Sequence, residues 1–162
     1  MEYQRKFIVI SHCILSQLAV VKGLKRAEGS FPLAKILIEE GVGMIQMPCP
    51  ELNELGTDRP PMSYEEYYNI EGYIDRCQEW LEPVISQIKQ FINHGDQFLG
   101  IIGINESPNC SITGQRGVWM ELLFERLEQE NIPAPFIEVP TWYEEHSTGD
   151  FHSQLSYFLK GE

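Results

Sequence analysis

Basic side chains are scarce in this chain. Twelve lysines and arginines stand against twenty-four aspartates and glutamates, a formal net charge of −12. The densest basic groups are Arg5-Lys6 and the trio Lys22, Lys25 and Arg26. Neither makes the patch that phosphate neutralisation requires, so partners among nucleic-acid polymers and anionic membranes are excluded. A single base or nucleoside is still compatible, because only polymer binding needs that density. Long hydrophobic runs are also missing. The residues ahead of Phe7 lead into an apolar stretch of strand size, too short for a signal segment or a membrane span, and a cytoplasmic protein is expected. Repeats and low-complexity tracts are absent. The apolar share of 43% over 162 residues suffices for one domain with one core. Cysteine is sparse and dispersed: Cys13, Cys49, Cys77 and Cys110 do not form a disulfide framework. In a reducing compartment such thiols are packing residues, metal ligands or catalytic groups.

What is present is a rhythm of strand and helix signals. Phe7–Ile10, Gly43–Met47, Phe98–Ile104 and Phe136–Val139 are apolar, β-branched runs of the kind buried on both faces. Between them, Ser30 is placed to cap a helix through Glu40, with Gly41 as its stop. Residues 53–62 read as loop. Ser63-Tyr-Glu-Glu66 has the form of a capping box. Apolar residues from Ile70 to Ile92 keep helical spacing, and Pro83 predicts a kink or a division there. Val118–Asn131 and Phe151–Leu159 complete the helices. This alternation predicts an α/β fold: a single-domain, Rossmann-like open parallel sheet of about four strands in the order 2-1-3-4, with helices on both faces. In such sheets ligands bind beyond the carboxyl ends of the strands, where the strand order reverses.

Three of the strands run directly into a cysteine. Phe7–Ile10 leads to Ser11-His12-Cys13, Gly43–Met47 to Pro48-Cys49-Pro50-Glu51, and Phe98–Ile104 to Asn105-Glu-Ser107-Pro-Asn-Cys110. The expected strand order brings all three loops to one crevice. Cys77 lies on the apolar stripe of its helix and is assigned to the core. Three converging thiols make a soft donor set. They suit Zn²⁺ with an open fourth position, or an iron–sulfur cluster with one uncapped iron. The intervals between them match no short-range ligand signature, so the shared position in the fold carries the inference.

Glu51 and Glu106, each close to one of these cysteines, are candidates for general acid–base work or for accepting loop N–H groups. Ser107 could donate to a substrate heteroatom or close the turn before Pro108. His12 could be a ligand, an acid or an outer donor. Arg59 and Arg116 are candidates for receiving an anion or carbonyl, Arg116 the better placed, near a helix start. His94, His146 and His152 have no chemical company and read as surface residues.

Taken together, Ser-His-Cys13, Pro-Cys49-Pro-Glu51 followed by Arg59-Pro-Pro, and Glu-Ser107-Pro-Asn-Cys110 resemble the thiouracil desulfidase family, formerly a domain of unknown function. The likeness spans roughly residues 5 to 131 and keeps the motif order. It implies a [4Fe–4S] cluster on Cys13, Cys49 and Cys110, with one iron not ligated by protein and free to take the sulfur of a small thiocarbonyl substrate. It also implies Glu51 and Ser107 as the residues that activate water and hold the substrate. The products would be the oxo compound and hydrogen sulfide. Two departures fall on the substrate side. The loop after Cys13 lacks the family's Cys-Arg-Tyr-Asp-Gly run, and Asn53-Glu-Leu-Gly56 stands where Gly-Gly-Leu is usual. The cluster positions therefore match more closely than the substrate loops. A Cys₃ zinc hydrolase and a non-catalytic module carrying a cluster or sulfur are the alternatives.

Overall fold

A computed structural model describes residues 4–161. Four parallel strands, β1 (Lys6–Ile10), β2 (Val42–Gln46), β3 (Gln97–Ile104) and β4 (Phe136–Val139), form one sheet in the order β2-β1-β3-β4. This is the expected architecture. On β1, Phe7 and Val9 face one side while Ile8 and Ile10 face the other. Each fully buried aliphatic or aromatic side chain contributes about 1.5–3 kcal/mol relative to exposure. A one-residue slip of β1 would exchange both sets at once, so its register is strongly held.

Helices cover both faces. Against the Phe7/Val9 face pack α3 (Tyr64–Tyr68), α4 (Tyr73–His94) and α5 (Val118–Gln129), through Tyr67, Leu81, Ile85, Ile88 and Leu123. Against the other face pack α1 (Leu33–Glu39) and α6 (Asp150–Phe158), through Leu33, Leu37, Phe151 and Leu155. A short helix, α2 (Pro50–Leu55), follows β2. Among the described residues no helix is long and apolar enough to cross a membrane.

Several local expectations need correction. Ser30 does not cap α1. Its hydroxyl donates to the carbonyls of Ile14 and Phe31, and the helix begins after Pro32, whose fixed φ suits a first turn. The stretch read as loop from Asn53 contains the end of α2, whose start is set by Cys49 and Pro50. Of the kink or division expected at Pro83, division does not occur: α4 runs unbroken through it. Leu81, Val84 and Ile85 beside it are buried, and that packing outweighs one missing backbone donor. The break falls earlier, between α3 and α4, where Gly72 takes φ 77°. The Ser63/Glu66 capping box forms in both directions.

Candidate functional site

The ladder does not stop at the strand ends. Ser11 N–H donates to Ile102 O (3.2 Å) and Met47 N–H to Ile10 O (2.9 Å), which carries the sheet's order into the loops holding Cys13 and Cys49. Gln46 Nε2 reaches His12 O (2.9 Å), and His12 Nδ1 lies 3.1 Å from Met47 O, so those two loops are tied to each other. Gln17 Nε2 holds the Cys13 carbonyl at 2.9 Å.

Cys49 is the residue before α2, and its Sγ accepts from Leu52 N–H at 3.4 Å. The Cys110 loop is fixed by close approach. Ser107 Oγ accepts from the amides of Cys110 (3.0 Å) and Asn109 (3.4 Å), and Ile104 N–H donates to Cys110 O. A Cβ on Gly117 would lie 2.2 Å from the Asn109 carbonyl carbon, and one on Gly103 would lie 2.7 Å from Cys110 O. Only glycine admits this loop against β3 and α5. From β4, the Glu138 carboxylate accepts from the amides of Ile112 (2.8 Å) and Thr113 (3.2 Å) and secures the far side.

These loops enclose a cavity of about 340 Å³. Cys13, Cys49 and Cys110 all line it, as do His12, Glu51, Arg59, Glu106 and Ser107. The apolar side chains of Val20, Val21, Leu24 and Met62 also line it. Arg116 departs from expectation and does not reach the cavity. Its Nε donates to Ile112 O (3.0 Å) and its guanidinium stacks on Phe124 at 4.5 Å, because the start of α5 is filled by the Asn109 main chain.

Glu51 is held from two sides. Arg59 Nε lies 3.3 Å from Oε1, and Asn109 Nδ2 donates to Oε2 at 2.9 Å. Arg59, only 6% exposed, also donates to Gly56 O (2.9 Å) and Ala19 O (2.6 Å). Behind Asn109, the Tyr73 hydroxyl donates to Oδ1 at 2.6 Å.

The three thiols sense one another. Burial pushes Cys13 from its ordinary 9.0 up to about 12, and the Cys49 charge adds to it, while Arg26 opposes. Burial holds Cys110 well above the ordinary thiol value, with Cys13 and Cys49 contributing and a Ser11 hydrogen bond opposing. Cys49 is raised by burial against the Leu52 amide and Arg59. Metal loading at such thiols releases protons and exchanges desolvated S–H for metal–thiolate bonds. Cys77 is fully buried on α4, as expected of a core residue. Among the described residues no three Cys, His, Asp or Glu donors are arranged to hold a single metal ion.

Sequence reading alone missed Asn109, Tyr73 and Arg26. Asn109 sits within the Ser-Pro-Asn-Cys turn, and its polarity between Pro108 and Cys110 was the available signal. Tyr73 lies on an apolar stripe and gave none. Arg26 lines the cavity half-buried, with Nη1 donating to the carbonyls of Pro140, Thr141 and Tyr143 at 2.7–3.1 Å. His152 also differs from a plain surface residue: its Nε2 lies 2.5 Å from the Tyr143 hydroxyl, outside the cavity. His94 (beside Asp96) and His146 are exposed.

No protein-family model matches the chain, so the resemblance to the thiouracil desulfidases rests on the motif residues. No solved structure matches it. A match exists with the uncharacterized protein MJ0003 of Methanocaldococcus jannaschii, 41% identical over 137 residues that cover 84% of this chain and 86% of the archaeal protein. At that identity and coverage, the chain belongs to the same family as MJ0003.

Proposed function

We propose that this protein is an iron–sulfur-dependent desulfidase that removes sulfur, as sulfide, from a small thiolated molecule of the base or nucleoside class. The observation that carries the reading is the meeting of three post-strand thiols with Glu51 and Ser107 around one cavity. The donor set fits a [4Fe–4S] cluster held by Cys13, Cys49 and Cys110. The remaining thiol, Cys77, is packed in the core, so one iron is left without a protein ligand.

When bound, the cluster supplies a soft Lewis acid that polarises a thiocarbonyl group. The chain's own residues do the rest. The apolar side chains of Val20, Val21, Leu24 and Met62 that line the cavity receive a flat ring and exclude bulk water. Glu51 retains lone pairs beyond those used by Arg59 and Asn109. It takes a proton from the water that attacks the thiocarbonyl carbon. Ser107 has its oxygen engaged by two amides, which directs its own O–H outward to donate to charge developing on the substrate. The net reaction consumes one water and exchanges C=S for C=O with release of hydrogen sulfide; no electrons are transferred overall.

The test is anaerobic purification and reconstitution, followed by iron and acid-labile sulfide analysis and a sulfide-release assay with thiolated pyrimidines and nucleosides. About four iron and four sulfide per chain, lost in Cys110→Ala, together with sulfide release, supports the reading. Absence of iron where a control cluster protein reconstitutes overturns it.

A further inference from the structure

Asn109 and Tyr73 have no place in the chemistry above, yet they form a continuous chain to Glu51. Tyr73 is fully buried, and burial holds its phenol far above the ordinary tyrosine value, so it is a permanent donor. It donates to Asn109 Oδ1 at 2.6 Å, and Asn109 Nδ2 donates to Glu51 Oε2 at 2.9 Å. An amide turned by 180° would set oxygen against the carboxylate and nitrogen against the phenol proton. The carboxylate only accepts, so it fixes which end of the amide faces Glu51, and the phenol holds the other end by donating to Oδ1. The Asn109 main chain is equally constrained: its carbonyl accepts from Met120 N–H at 3.0 Å, and it presses on Gly117. Asn109 is 1% exposed. It reaches from the Cys110 loop to the helix that follows Cys49.

Tyr67 adds a second tier. Its hydroxyl is the one buried side-chain polar atom without a hydrogen-bond partner among the described residues, and it lies in the field of Glu51 and Arg59. Arg59 and Asn109 thus engage one oxygen each of the carboxylate, and the Tyr67 hydroxyl lies nearby without a bond of its own.

We propose that Asn109, oriented by Tyr73, is the positioning residue for Glu51. The amide holds the carboxylate in one rotamer with its free lone pairs toward the cavity, and the phenol anchors the far end of the amide. A catalytic group held by such an outer layer is placed more accurately than one held by a single ion pair. The catalytic consequence rests on the reading of Glu51 as the base; the orienting chain itself does not.

The test uses the full chain and the variant Tyr73→Phe, which removes one oxygen from a packed ring, with Asn109→Asp serving to assign the side-chain amide signal. In ¹⁵N spectra of metal-free protein, exchange of the Asn109 side-chain amide with solvent should accelerate by roughly tenfold in Tyr73→Phe, because an amide without its Oδ1 partner moves and its Nδ2–H bond to Glu51 opens more often. In reconstituted protein of unchanged iron content, kcat should fall by roughly 10–100-fold with KM little altered. Unchanged amide exchange overturns the orienting chain. Accelerated exchange with unchanged kcat overturns its catalytic role. If the wild-type holoprotein turns over no thiolated substrate, the desulfidase reading falls, and amide exchange alone then decides the proposal.

Discussion

The imidazole Nδ1 of His12 lies 3.1 Å from the main-chain oxygen of Met47, fastening the loop of Cys13 to the loop of Cys49. The neighbouring strands β1 and β2 already pair in parallel register up to Ile10 and Gln46, and His12 extends that pairing past their ends. Two of the three thiols are therefore held together by side-chain bonding as well as by the sheet.

Replacing His12 by Ala should loosen that tie without unfolding the sheet. Cluster loss to an iron chelator should accelerate by roughly tenfold, the lower end expected for an outer partner of a metal site. Chelation kinetics followed by the cluster's visible absorbance measure this directly. Kinetics equal to wild type would remove His12 from the supporting shell.

Glu51→Gln should retain full iron and sulfide and lose turnover, since an amide cannot take the water proton. Glu106→Gln is the informative partner. Glu106 is exposed at the rim, and its φ of 64° comes from the turn geometry. If Glu106→Gln is the inactive variant and Glu51→Gln turns over normally, the base is assigned to the wrong carboxylate.

Arg59 pairs with Glu51 and donates to two main-chain carbonyls from a nearly inaccessible position. Arg59→Ala leaves a largely buried carboxylate uncompensated and should cost about 3–5 kcal/mol of stability. Adding Glu51→Gln to that variant should recover part of the loss. Urea unfolding of the two variants provides the comparison; no recovery would mean that the carbonyl contacts, not the ion pair, carry the effect.

The metal-free protein should become less stable in alkali. The thiols of Cys13 and Cys77 stand at about 12 when folded, against an ordinary 9.0, and Cys110 and Cys49 are also raised. The unfolded chain ionises first, so the folded form's tighter hold on the protons is fully stabilising below about pH 9. That stability is lost as pH rises toward about 12. Denaturant midpoints measured upward from about pH 8.5 should fall, and substituting Cys13, Cys49 and Cys110 together by Ala should flatten part of the decline, the buried Cys77 thiol and tyrosines keeping the rest. A midpoint that rises with pH would contradict the burial of these thiols.

Gly117→Ala should damage the site from outside it. The added carbon meets the Asn109 main chain at 2.2 Å, so either α5 or the Cys110 loop must move. A loss of about 1–3 kcal/mol is expected from such overpacking, with reduced cluster retention. Normal stability and normal iron content would show that the loop yields without consequence.

Much of this architecture was decided by short-range pattern. Continuous β-branched runs, helical spacing from Ile70 to Ile92 and turn residues at the strand ends determined a parallel α/β sheet, and with it the three cysteines beyond β1, β2 and β3. Those features depend on residues near one another in sequence, where hydrophobic period and backbone preference act. The placement of Arg116 on Phe124, the unbroken helix through Pro83 and the Tyr73–Asn109–Glu51 chain were decided only by the tertiary structure. Each depends on what a distant segment presses against it. A tyrosine on an apolar stripe gives no sign in sequence that its hydroxyl will meet a loop 36 positions away, and only packing supplies that partner.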